Sequence, residues 1–260
     1  MKKNKKNVVL VVLVVLVVLV GAGKIFLDKI YVPVIAMYHY IDKNEEASKL
    51  SVSAKSFDKQ MNFFKENGYD VISLEEMVNM IKNRKNVPRK TIAITFDDGV
   101  DNNYSLAYPI LRKYGFPATM FIITDMVGKQ GYMSLDQLKE MQDNGITIGS
   151  HTLTHRWLPE LSQQEIEIEV TESKRVLESQ TGRNIDFIAY PAGGYDQRVI
   201  EAVKKAGYLG ACTTNSEGSD WNNIYALKRV RLSRTSNNPL VQWIETSGYY
   251  TFIKEFRDDK

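Results

Sequence analysis

Thr91-Ile92-Ala93-Ile94-Thr95-Phe96-Asp97-Asp98-Gly99 is the stretch that decides the fold. A short, largely β-branched run ends in two adjacent carboxylates and a glycine. Side chains on a strand alternate sides, so neighbouring acids at its end mark a turn into a polar site rather than more sheet interior. Downstream, Ile146-Thr147-Ile148 leads into Gly149-Ser150-His151-Thr152-Leu153-Thr154-His155, which holds two of the chain's three histidines. One Asp and two His suffice as protein ligands for a catalytic divalent metal, with a position left open for water. Such a donor set favours Zn²⁺ over harder cations.

Outward from that stretch, the pattern alternates β-like and helix-like segments with short joints. Strands are expected over 34–40, 70–73, 91–96, 118–123, 146–150, 187–190, 209–214 and 226–232. Helices are expected over 57–67, 73–81, 104–114, 135–143, 162–180 and 198–206. Ser73-x-x-Glu76, Ser134-x-x-Gln137 and Ser162-x-x-Glu165 open three of the helices as capping boxes; Gly145 and Gly182 close two of these, and Gly68 and Gly207 close two others. Nearly uninterrupted apolar strands alternating with helices predict an α/β fold with a helix-covered parallel sheet. About seven such units predict a distorted (β/α) barrel, with the chemistry at the C-terminal ends of its strands. The acid pair, the histidine pair and Pro191-Ala192-Gly193-Gly194 all fall there.

The 260 residues, 43% of them hydrophobic, are enough for one domain of this kind. A net charge of +3, partly from Lys2, Lys3, Lys5 and Lys6, gives no basic stripe and argues against a nucleic-acid partner. The single cysteine, Cys212, cannot form an intramolecular disulfide and leaves the redox compartment open. Residues 8–20 are all Val or Leu, follow those lysines and precede Gly21-Ala22-Gly23-Lys24. This is the order of an export signal. Without an Ala-x-Ala site it is read as an uncleaved membrane anchor over 1–29, with the domain of 30–260 outside the membrane and the N-terminus inside.

Three motifs, Thr-Phe-Asp-Asp-Gly at 95–99, His-Thr-x-x-His at 151–155 and Tyr-Pro-x-Gly at 190–193, occur in the order found in the polysaccharide deacetylases with a NodB-like carbohydrate esterase domain, and the chain resembles that family over residues 34–232. The resemblance implies a NodB-like barrel that removes N-acetyl groups from an N-acetylhexosamine polysaccharide. It implies Asp97 as general base and Asp98, His151 and His155 as ligands of Zn²⁺ or another divalent metal. It also implies an oxyanion and substrate loop of Tyr190, Pro191, Ala192 and Gly193, with the Ala192 N–H facing the developing charge.

Most relatives carry the proton-donating histidine near the C-terminus, and here none follows His155. Met37-Tyr38-His39-Tyr40 instead resembles the branch acting on poly-N-acetylglucosamine exopolysaccharide, which makes His39 the expected acid. The arginine that orients the base in that family is replaced by Ala189, and Arg229 or Arg231 is expected to serve. Asp220-Trp221 resembles a further motif with an acid and a groove aromatic. Tyr104, Tyr132, Trp157 and Tyr195 follow strand ends, where rings can stack on sugars. Competing readings are a peptidoglycan N-acetylglucosamine deacetylase and a catalytically inactive glycan-binding relative.

Overall fold

A computed structural model describes residues 2–44, 48, 50–83, 87–214 and 223–251. It begins with helix α1 (Lys2–Ile30), then β1 (Val34–Tyr38), β2 (Tyr40–Asp42), β3 (Ser51–Ser53), α2 (Ala54–Glu66), β4 (Asp70–Ile72), α3 (Leu74–Lys82) and β5 (Thr91–Phe96). The alternation continues through α4 (Tyr108–Tyr114), β6 (Thr119–Ile122), α5 (Leu135–Asp143), β7 (Thr147–Ser150), α6 (Gln163–Thr181), β8 (Phe187–Ala189), α7 (Gln197–Lys205) and β9 (Gly210–Thr213). Strands β10 (Leu227–Lys228) and β11 (Val230–Arg231) and helix α8 (Pro239–Glu245) follow.

The main sheet runs β10-β9-β8-β7-β6-β5-β1-β11. Every pairing in it is parallel, and β4 pairs beside the start of β5. Its two outer members are halves of one segment: Leu227 and Lys228 pair with β9, whereas Val230 and Arg231 pair with β1. The segment expected as a single last strand therefore joins both edges with only Arg229 between its two halves. The product is a nearly closed barrel of seven staves, counting that segment once.

Strand alternation sorts the side chains into two layers. Val34, Ala36, Ile92, Ile94, Phe96, Met120, Ile122, Ile148 and Ile188 face outward into the layer covered by helices. Ile35, Ala93, Phe121, Phe187, Ala189, Cys212 and Leu227 fill the interior, and α3 joins them through Leu74, Met77, Val78 and Ile81. The Phe121 ring occupies so much of that interior that a Cβ at Gly149 would lie 2.6 Å from it. Continued by two residues, the inward rows of β1, β5, β7 and the closing segment reach His39, Asp97, His151 and Arg229. These four sit where the packed interior gives way to the barrel mouth.

The local signals behave as their chemistry dictates at most helix starts. Ser134 and Ser162 form reciprocal capping boxes with Gln137 and Glu165, and Ser73 accepts the Glu76 N–H. Three details differ from expectation. The first strand stops at Tyr38, and Tyr40 starts β2, which pairs with β3. The segment expected as a helix from 104 begins as a π-helical turn, Asn103–Ala107, before α4. Helix α8 lies beyond the expected last strand; Asn238 caps it and Pro239 starts it. Asp220-Trp221 lies outside the described residues.

Helix α1 exposes Leu10, Val12 through Val20, Ile25 and Phe26. Among the described residues no helix is long and apolar enough to cross a membrane, so the expected anchor finds no support in the structure.

Candidate active site

Asp97 is only 2% exposed, and a carboxylate in such surroundings needs a partner. Arg229 supplies it with two parallel hydrogen bonds, Nη1 to Oδ1 at 2.6 Å and Nη2 to Oδ2 at 2.7 Å. The guanidinium also donates to Thr95 Oγ1 at 3.2 Å and lies 5.4 Å from the centroid of the Phe121 ring. Burial pushes the Asp97 carboxyl up, but the Arg229 charge and hydrogen bonds, with His151 and His39, outweigh it and hold the group at about 2. Asp97 is therefore an ionised acceptor fixed in orientation by a planar fork.

Of the two arginines expected to reach this acid, Arg229 does so and Arg231 does not. Arg231 is exposed, and it pairs opposite Met37 on β1. Ala189 keeps a place in the site through its backbone: its carbonyl accepts a hydrogen bond from His151 Nδ1 at 2.8 Å. That bond puts the His151 proton on Nδ1 and leaves Nε2 as a lone-pair donor.

Asp98 leaves the strand with φ 72°, so its carboxylate takes a different direction from that of Asp97. Its Oδ1 lies 3.7 Å from His151 Nε2 and 3.6 Å from His155 Nε2. One ligand atom from each of these three residues falls within 4.8 Å of the others. Burial, acting against Asp97 and Asp98, lowers the His151 pKa below 6.5 and favours the neutral, ligating imidazole. A carboxylate oxygen and two imidazole nitrogens converging with one tautomer already fixed fit a divalent metal.

The loop carrying the histidines is strained. Thr152 has φ 65° and His155 φ 63°, left-handed values that cost about 1 kcal/mol or more apiece for residues other than glycine. Local bonds hold it: the His155 N–H donates to Thr152 Oγ1 at 3.1 Å, and the Thr152 N–H donates to Ser150 Oγ at 3.1 Å.

His39 reaches the same space from β1. Its Nε2 lies 3.9 Å from Asp97 Oδ2, and its side chain is 15% exposed. Its Nδ1 is buried and has no hydrogen-bond partner. Burial foremost, with Arg229 and Arg231 adding to it against Asp97 and Asp98, lowers its pKa below 6.5.

On the next strand end, Tyr190 is buried, its hydroxyl donates to the Tyr225 carbonyl at 2.8 Å, and its ring stacks on Tyr195. Pro191–Gly193 forms a 3₁₀ turn in which Ala192 is exposed with φ 50°, and Thr213 Oγ1 donates to the Gly193 carbonyl at 2.8 Å. Trp157, 43% exposed, lies against Gly194, where an added Cβ would come within 2.5 Å of its ring.

Sequence reasoning missed two residues here. Thr95 belongs to the same inward row as Asp97, so strand alternation carried its signal. Glu169, a buried acid in the amphipathic row of α6, bonds the histidine loop. A charged residue among apolar helix positions was the clue available for it.

The family model for polysaccharide deacetylases matches residues 84–211. Among curated proteins, "Putative polysaccharide deacetylase YxkH" of Bacillus subtilis is 36% identical over 200 residues, covering 76% of this chain and 71% of that protein. The poly-β-1,6-N-acetyl-D-glucosamine N-deacetylase of Staphylococcus aureus is 29% identical over 219 residues, covering 78% of this chain and 75% of the relative. Among solved structures, the Streptococcus pyogenes deacetylase PplD in complex with acetate superposes with a TM-score of 0.76 at 32% identity, over 84% of this chain and 98% of that one. Likeness at that level across most of both chains, on a barrel with its polar residues gathered at the strand ends, means that this chain belongs to the polysaccharide deacetylase family.

Proposed function

We propose that the chain hydrolyses the N-acetyl group of N-acetylglucosamine residues in an extracellular polysaccharide, with a poly-β-1,6-linked polymer as the favoured substrate. The observation that carries the reading is the Asp97–Arg229 fork beside the Asp98, His151 and His155 cluster. It sets a base kept ionised next to a donor set for a divalent metal. The substrate reading is supported by His39, directly after the first strand, and by likeness to the staphylococcal deacetylase.

Asp98, His151 and His155 would hold the metal, with Zn²⁺ suited to the donors. When bound, it supplies a water of pKa about 7 and polarises the acetyl carbonyl. Asp97 accepts a proton from the attacking water as the C–O bond forms. The backbone N–H of Ala192 faces the carbonyl oxygen as negative charge develops. The C–N bond then breaks as His39, charged by the proton that Asp97 took from the water, passes it to the departing amine nitrogen, leaving acetate and glucosamine. Trp157 offers an exposed ring beside this loop for the apolar face of a sugar.

The Val/Leu run behind four lysines directs export and places residues 30–260 outside the cytoplasm. N-terminal sequencing of the chain recovered from membrane and medium fractions tests that part.

Acetate release by the full chain from poly-β-1,6-N-acetylglucosamine, peptidoglycan strands and β-1,4-linked oligomers tests the substrate. The expected order puts the β-1,6 polymer first in kcat/KM. A preference for peptidoglycan would replace the substrate reading, and metal binding without acetate from any glycan would make the chain a binding relative.

A further inference from the structure

We propose that Glu169 is a positioning residue that clamps the histidine loop and thereby sets the affinity of the metal site; this rests on the metal reading of Asp98, His151 and His155 given above. Glu169 lies on the inward row of α6 with Ile166, Val170, Ser173 and Leu177, and it is only 4% exposed. An acid in such a row is costly unless its oxygens are satisfied. Both oxygens find their donors in one residue of the loop: Oε2 accepts the Thr154 N–H at 2.9 Å, and Oε1 accepts the Thr154 hydroxyl in a very short contact. The main-chain carbonyl of Glu169 accepts the Leu153 N–H at 3.2 Å.

These bonds fall between the two left-handed residues, Thr152 and His155, and directly before the ligand His155. Across the loop, the N–H groups of Thr124 and Asp125 donate to the carbonyls of Thr152 and Leu153, so the short segment is gripped from two sides. His151 is buried and is fixed by its own bond to Ala189, whereas the His155 side chain is 38% exposed and depends on its backbone for placement. Glu169 thus governs His155 and, through it, metal retention. Surrounding bonds of this kind typically alter metal affinity by about 10- to 100-fold when removed.

The test is competition for Zn²⁺ between a chromophoric chelator and the metal-stripped full chain, for wild type, Glu169→Ala, Glu169→Gln and Thr154→Val. Glu169→Ala is expected to bind Zn²⁺ about 10- to 100-fold more weakly. Glu169→Gln keeps an acceptor for the Thr154 N–H and a donor for its hydroxyl, and is expected within about threefold of wild type. In saturating Zn²⁺, Glu169→Ala should recover most of its kcat, which a merely misfolded variant would not do. If Glu169→Ala does not fold, Thr154→Val decides: several-fold weaker binding supports the clamp, and unchanged affinity overturns it. Wild-type affinity in a folded Glu169→Ala also overturns it. Failure of wild type itself to bind Zn²⁺ would instead overturn the underlying metal reading.

Discussion

Arg229 and Asp97 are 132 residues apart in the chain and meet as a two-pronged ion pair inside the barrel. They meet because the segment from Leu227 to Arg231 is shared by both edges of the sheet. Leu227 and Lys228 complete one edge, Val230 and Arg231 the other, and Arg229 between them points inward in step with Leu227. Barrel closure and the orientation of Asp97 are thus properties of the same few residues.

Replacing Arg229 by Met leaves Asp97 as an unpaired buried charge, which costs about 3–5 kcal/mol. Arg229→Lys keeps the charge but not the fork, so Asp97 loses its fixed orientation. Urea melts should show Arg229→Met clearly less stable than wild type. Steady-state acetate release should show Arg229→Lys slowed about 100-fold in kcat, the scale expected when a reacting group is misplaced by about 1 Å.

The same pair predicts an acid-labile contribution to stability. The folded Asp97 carboxyl sits at about 2 against an ordinary 3.8. Because the folded value is the lower one, the contribution is complete above the ordinary value and disappears as pH falls from there through about 2. It is worth on the order of 2 kcal/mol. In metal-stripped protein, the stability gap between wild type and Asp97→Asn should narrow by that amount between about pH 5 and pH 2. A gap that does not change with pH would place the Asp97 value at its unperturbed position.

Much of this site was legible in the sequence, since Asp97, Asp98, His151 and His155 sit at or just after the ends of β-like runs; alternation aims Asp97 and His151 into the barrel mouth, whereas left-handed backbone turns Asp98 and His155. The choice between Arg229 and Arg231 was not legible. Two residues apart in the segment expected as one strand, they share a face, so alternation cannot separate them; the structure does, by exposing Arg231 and burying Arg229 against Asp97. Glu169 was hidden for a different reason. Its partner Thr154 belongs to an irregular loop whose backbone directions follow from no periodicity. The π-helical turn at Asn103–Ala107 also escaped, because its residues have ordinary helical spacing.

His39→Ala should leave Zn²⁺ affinity near that of wild type, since His39 lies outside the Asp98, His151 and His155 cluster. Its kcat for acetate release should fall by about 10²- to 10⁴-fold, the usual worth of a positioned general acid. Full turnover in this variant would assign the proton to another donor.

Gly194 has an ordinary φ of −76°, so an alanine there meets no backbone strain, only the Trp157 ring 2.5 Å from its Cβ. Gly194→Ala should displace the indole, and Trp157→Ala should remove it. Both should raise KM for the polymer by up to about tenfold, the scale of one lost aromatic contact, with kcat much less affected. Initial rates over a range of polymer concentrations separate the two constants.

The central claim is that an ionised Asp97 beside a metal held by Asp98, His151 and His155 removes acetyl groups from a glucosamine polymer. It is tested most directly by acetate release from poly-β-1,6-N-acetylglucosamine, using the full chain as purified, stripped by chelator, reloaded with Zn²⁺, and as Asp97→Asn loaded with Zn²⁺. Release is expected to vanish on stripping, return on reloading, and stay at least about 100-fold lower in Asp97→Asn despite bound Zn²⁺. Undiminished release by the stripped chain, or by Asp97→Asn, would contradict the account.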